Sequence, residues 1–200
     1  MRCIEIGGID NTGKSTQIKY LAGIIDAYIP PALINYSHLF PKTLEARVKL
    51  YSGSNIDTII NATCEGILSR KTDIESQDKE YVLLDRGYIT LFASNIARVM
   101  NTGKSFDYAK EHVSQIWAAY GVTQDESLSI ILTLDKDPVA NFIQREGQDT
   151  NESHAGYLRH FNESINILSQ IYPAARIDAN EPKYHITARI LNIINEKVTV

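Results

Sequence analysis

Cysteine, proline and tryptophan are scarce in this chain, and a surplus of positive charge is missing. Two cysteines, Cys3 and Cys64, are too few for a disulfide framework, so both are expected as reduced thiols in a cytoplasmic protein. A formal net charge of -4 excludes a global positive field able to hold a nucleic-acid polymer, and any phosphate pocket must be local. No stretch approaches the roughly eighteen uninterrupted apolar residues of a membrane span. The N-terminus carries no long apolar region before a cleavage site, so neither secretion nor membrane insertion is expected. Low-complexity tracts and linkers rich in Pro, Gly and Ser are also absent. The few prolines read as punctuation: Pro30-Pro31 and Tyr172-Pro173 are expected as turns leading into strands.

What is there is an ordinary globular composition, 44% hydrophobic and 22% charged over 200 residues. It suits one α/β domain over 1–200. Short apolar runs at Cys3 to Ile6, Ala32 to Asn35, Tyr81 to Leu84, Ser129 to Leu134 and Ala175 to Asp178 read as five strands. Helical spacing fills Gly13 to Ala27, Ile56 to Arg70, Ile89 to Met100, Asp107 to Tyr120, Pro138 to Arg145, Ala155 to Ile171 and Tyr184 to Lys197. Strands alternating with such helices predict a doubly wound five-stranded parallel sheet with helices on both faces. The continuous apolar strands Tyr81-Val82-Leu83-Leu84 and Ile130-Ile131-Leu132 fit a sheet covered on both sides. Ligands of such sheets sit beyond the carboxyl ends of the strands.

At the end of the first strand stands Gly8-Ile9-Asp10-Asn11-Thr12-Gly13-Lys14-Ser15. A phosphate loop needs a glycine to leave the strand, backbone amides to wrap the phosphates, a lysine for the outer phosphates and a hydroxyl for Mg2+. All are present, and the helix that follows adds its positive N-terminal end. Chance matches to this pattern number roughly 0.01 in a chain of this length, so the fold is expected to be of the P-loop NTPase type. Asn11, Thr12, Gly13, Lys14, Ser15 and Thr16 are assigned to ATP and Ser15 to Mg2+. Five letters of the loop recur at Asn101-Thr102-Gly103-Lys104-Ser105. That copy has Arg98 at the first glycine's position and follows a helix, so it is read as a solvated helix end.

Asp85-Arg86 closes the third strand at the ligand edge. Asp85 suits the magnesium shell and Arg86 a forked pair of bonds to a transferring or acceptor phosphate, with a surface ion pair as the alternative. After the fourth strand, Asp135-Lys136-Asp137-Pro138 precedes a helix reaching Arg145, then the polar stretch Glu146 to Ser153. A short lid over about 145–153 is expected to close on ATP and bring Arg145 to the moving phosphoryl group, a mobile loop without a role being the alternative.

With these motifs the chain resembles the thymidylate kinase family of nucleoside monophosphate kinases. The resemblance rests on Gly8 to Gln17, Phe40-Pro41, Asp85-Arg86, Leu134-Asp135 with Pro138, Arg145, and Arg176-Ile177-Asp178-Ala179. It implies transfer of the ATP γ-phosphate to a (deoxy)nucleoside monophosphate such as dTMP. Asp10 is then expected to meet the acceptor sugar and Arg86 its phosphate, with Phe40, Arg47 and Thr90 also on the acceptor side and Lys42 near. Lys14, Asp85, Arg86 and Arg145 form the implied catalytic set. The family's habit also implies a homodimer. Departures cluster on base reading: Ile59 and Thr63 stand where the family carries a stacking phenylalanine and an arginine. Gly87, Thr90 and Leu91 replace tyrosine and small polar residues, and Asn11 and Thr150 occupy positions that carry arginine in some members.

Two other readings stay open at this point. A deoxynucleoside kinase would use Asp85 as the base for a sugar hydroxyl, although that group usually presents Glu-Arg-Ser where this chain has Asp-Arg-Gly. A catalytically degenerate ATP-binding protein is the other. His38, His112, His154, His160 and His185 show no metal-ligand spacing. Trp117 and Tyr120 lie at helical spacing, as core or as a helix-to-helix contact.

Overall fold

The computed structural model describes residues 2–30, 56–124, 127–147 and 150–198. The expected strand at Ala32 to Asn35, together with Phe40, Pro41, Lys42 and Arg47, lies outside them.

Five parallel strands form one sheet in the order β2-β3-β1-β4-β5. They are β1 (Arg2–Gly8), β2 (Ala27–Tyr28), β3 (Tyr81–Asp85), β4 (Leu128–Thr133) and β5 (Ala174–Asp178). Helices α1 (Lys14–Ala22), α2 (Ile56–Glu75), α3 (Tyr88–Met100), α4 (Phe106–Ala119), α5 (Pro138–Glu146), α6 (Glu152–Ile171) and α7 (Lys183–Val198) connect or follow them. The central β1 pairs with β3 on one side and β4 on the other, so the chain's crossovers diverge at the carboxyl end of β1. That divergence leaves the crevice in which open α/β sheets bind ligands.

Both faces are covered because the strands alternate between two apolar layers. Ile4, Ile6, Leu83, Ile130 and Leu132 pack against Ile18 and Leu21 of α1 and Ile186, Ile190 and Ile194 of α7. Ile131 faces the other layer, built from α2, α3, α4 and α6. Every residue of α3 from Ile89 to Met100 is buried, as expected for a helix that is mostly apolar all round. Its Ile89, Phe92 and Ile96, at 2% exposure or less, each contribute roughly 1.5–3 kcal/mol through burial.

One sequence expectation is corrected. The first helix ends at Ala22 and not at Ala27, because Gly23 follows and the amides of Ile24 and Ile25 both turn back to the Leu21 carbonyl. The chain released there supplies β2, where Ala27 and Tyr28 pair with Tyr81 and Val82. Trp117, expected as core or a helix-to-helix contact, is 1% exposed and meets Phe92 and Tyr88 edge-on in the chain's own core. No helix among the described residues is long and apolar enough to cross a membrane.

Candidate active site

Only glycine fits where β1 becomes a loop. Gly8 has a φ of 139°, and a Cβ there would lie 2.6 Å from the Leu132 carbonyl oxygen of the neighbouring strand. The loop then passes through left-handed backbone at Asn11 (φ 65°) and Gly13 (φ 91°) before α1 starts at Lys14. Asparagine is among the few side chains that tolerate this region. Alternating backbone of this kind turns amides into a concave anion site. Helix α1 has no side-chain cap and no acid in its first turn, so its positive end faces the loop uncompensated.

Side chains of the loop, of α1 and of β3 then converge. Lys14 is only 6% exposed, and its Nζ donates to the Ile9 carbonyl at 2.6 Å. Burial, helped by the neighbouring Arg86 charge, pushes this ammonium down from 10.5 to about 8, while Asp10 and Asp85 pull the other way. Thr12, 2% exposed, donates to the same carbonyl at 2.9 Å. The Ser15 hydroxyl donates to Asp85 Oδ2 at 2.8 Å, a contact made possible by the β1–β3 register that sets Ile6 beside Asp85. A hydroxyl and a carboxylate oxygen side by side next to a phosphate loop fit Mg2+, which takes oxygen ligands and keeps several waters.

Asp85 and Arg86 are not paired with each other. The Arg86 guanidinium donates to Asp10 instead. Burial acts to raise the Asp10 carboxyl, yet Arg86, Lys14 and His154 together hold it below its usual 3.8. Arg86 has a φ of 67°, and its carbonyl accepts from Arg70 Nη1 at 2.9 Å.

On the far side of the loop lies a cavity of about 510 Å³, lined by Thr12, Gly13 and Thr16, by Lys136, Asn141 and Arg145, and by the segment after β5. Among the described residues, Asn141 Nδ2 and Asn11 Nδ2 find no hydrogen-bond partner. Arg145 sits exposed in the last turn of α5, which Gly147 closes at a φ of 66°. Of the expected lid, Arg145 and Glu146 therefore belong to α5, while Glu152 and Ser153 open α6.

Thr90, Ile59 and Thr63, at positions that the resemblance assigns to the acceptor side, are buried. Thr90 is fully buried, and its hydroxyl is engaged with Glu5 and the Gly8 amide. Ile59 and Thr63 are buried, and Thr63 donates back to the Ile59 carbonyl at 2.8 Å and to Asn95 Oδ1 at 3.3 Å. Beside them the Ser94 and Tyr157 hydroxyls meet at 2.9 Å, and Arg98 lies 4.9 Å over the Tyr157 ring. His154 stacks on Tyr157, meets Phe142 edge-on, and shares a 2.7 Å hydrogen bond with Thr150. The sequence does not single out Glu5, Ser94 or Asn95. One signal was legible: Thr90, Ser94 and Arg98 recur at four-residue spacing along a helix otherwise apolar but for Asn95.

Neither a family model nor a curated protein sequence matches the chain. Solved structures do. Thymidylate kinase from Candida albicans matches 98% of this chain and 92% of its own, at a TM-score of 0.70 and 16% identity. A deoxyadenosine kinase from M. mycoides with bound dATP matches 98% of this chain and 100% of its own, at 0.66 and 14%. The chain thus has the fold shared by these two kinases.

Proposed function

We propose that the protein is a nucleoside monophosphate kinase of the thymidylate kinase type, moving the γ-phosphate of ATP to a (deoxy)nucleoside monophosphate such as dTMP. The observation that carries this reading is the convergence of charged groups at the ends of β1 and β3: Lys14 and the Ser15–Asp85 pair, with the Arg86–Asp10 pair close enough to act on the Lys14 charge. Mg2+ bound by Ser15 and Asp85 would neutralise phosphate charge. The chain's own groups do the rest: the loop amides and Lys14 hold the outer phosphates, and Arg86 aligns the acceptor for in-line attack. Arg145 covers the donor cavity. Binding at Lys14 replaces its contact with Ile9, and an acceptor that reaches Arg86 competes with Asp10.

We favour a phosphate acceptor over a sugar hydroxyl because deoxynucleoside kinases usually present Glu-Arg-Ser where this chain has Asp85-Arg86-Gly87. The similarity to a deoxyadenosine kinase supports the second reading, phosphorylation of a deoxynucleoside. ADP formation against a panel of nucleoside monophosphates and nucleosides, with Lys14→Ala as control, separates the two. Turnover with monophosphates alone supports the first, and turnover with unmodified nucleosides overturns it in favour of the second. Equal rates in wild type and Lys14→Ala would remove the assigned phosphate site.

A further inference from the structure

We propose that Glu5, acting through Thr90, is a positioning residue that ties the start of the phosphate loop and the acceptor-side arginine to one buried carboxylate. This rests on the functional reading above.

Glu5 is fully buried in the middle of β1, on the face turned towards α3. Its Oε1 accepts the Thr90 amide at 3.1 Å and the Thr90 hydroxyl at 2.7 Å. Its Oε2 accepts the Ser129 hydroxyl of β4 at 2.9 Å. Three donors from two elements satisfy a carboxylate whose burial would otherwise be costly. The Thr90 oxygen in turn accepts the Gly8 amide at 3.3 Å. One chain of hydrogen bonds therefore runs from the first glycine of the loop, through a hydroxyl, to the carboxylate.

Two glycines leave room for it. A Cβ at Gly7 would lie 2.2 Å from Thr90 Oγ1, and one at Gly87 would lie 2.7 Å from the Glu5 carboxyl carbon. Gly87 is also the N-cap of α3 and offers no side-chain cap. Glu5 supplies the missing acceptor from another strand, placing a negative charge against the helix's positive end. The residue immediately before this cap is Arg86, in left-handed backbone. The position of α3 thus sets the position of Arg86, and the same carboxylate sets the start of the loop that carries Asp10 and Lys14.

Thr90→Val removes the bridging hydroxyl at nearly constant volume, and Thr90→Ser keeps it. Turnover, KM for ATP and acceptor, thermal midpoint, and hydrogen exchange of the Gly8 amide are measured for both. Thr90→Val is expected to bind ATP within about threefold of wild type while losing roughly tenfold to a hundredfold in kcat, since misplacement of order 1 Å costs that much. Its Gly8 amide should exchange faster. Thr90→Ser should restore most of the kcat and the slow exchange. Equal kcat in the two variants, or unchanged Gly8 exchange in Thr90→Val, would overturn the proposal and leave Thr90 a packing residue. Should the wild-type protein phosphorylate no nucleotide, the functional reading fails, while the Gly8 exchange of the two variants still decides this one.

Discussion

The same five residues occur twice in this chain and do two different things. At Asn11 to Ser15 and at Asn101 to Ser105 part of the local chemistry is identical. Thr12 and Thr102 each donate to the carbonyl three residues back, at 2.9 and 2.7 Å. Gly13 and Gly103 are both left-handed, with φ of 91° and 85°. The pentapeptide thus encodes a turn. It does not encode an anion site. Asn11 has a φ of 65° and Asn101 one of -65°, so only the first copy alternates its amides into a cradle. Lys14 is buried against Ile9, while Lys104 is exposed and lies 5.3 Å over the Tyr108 ring. Ser15 reaches Asp85, while Ser105 caps α4 by accepting from the Tyr108 amide. What separates the copies lies outside the five letters: a strand ending in Gly8 precedes one, and a buried helix carrying Arg98 precedes the other.

The largest effect is expected from removing what the second copy lacks. Gly8→Ala forces a side chain against Leu132 in a backbone region L residues rarely adopt, and should cost about 2–3 kcal/mol of stability and abolish ATP binding. Denaturant unfolding and calorimetry read both. Next come the serines. Ser15→Ala should lower turnover roughly tenfold to a hundredfold through loss of a magnesium oxygen, with little change in unfolding. Ser105→Ala should do the reverse, losing about 1 kcal/mol of helix cap and leaving turnover intact.

The two turn glycines should behave alike in stability and differently in function. Gly13→Ala and Gly103→Ala meet open space but left-handed backbone, so each should cost about 1–2 kcal/mol. Only the first should weaken nucleotide binding.

A pH dependence is expected at the first lysine. Lys14 titrates near 8 when folded and near 10.5 when unfolded. Between those values the unfolded chain binds more protons, so this group makes stability rise with pH. Cys64, which burial pushes from 9 to about 12, acts in the opposite sense above pH 9. The difference between wild type and Lys14→Met isolates the lysine and should grow from pH 8 to 10.5. ATP affinity should fall by up to about tenfold per unit above pH 8 as the ammonium is lost.

How much was legible follows the range of the interactions. The turn, β1, β3, β4 and the buried helix declare themselves through local pattern, and so does the phosphate loop, because glycine and lysine spacing is itself local. The end of α1 was misplaced by the apolar residues after Gly23, which serve the edge pairing of Ala27 and Tyr28 with β3. Glu5 was invisible for a different reason. A single acid in an apolar strand reads as an interruption until the β1–β4 register sets it beside Ser129 and the packing of α3 brings Thr90. The resemblance sets Thr90 on the acceptor side, where it replaces one of the family's small polar residues. Its burial against Glu5 is a tertiary fact that no spacing carries.

The central claim, that phosphate binding belongs to the first copy alone, is tested most directly by titrating ATP with Mg2+ into wild type, Lys14→Ala and Lys104→Ala in a calorimeter. One site in wild type, lost in Lys14→Ala and unchanged in Lys104→Ala, is the expected result. Equal binding by all three proteins would contradict it.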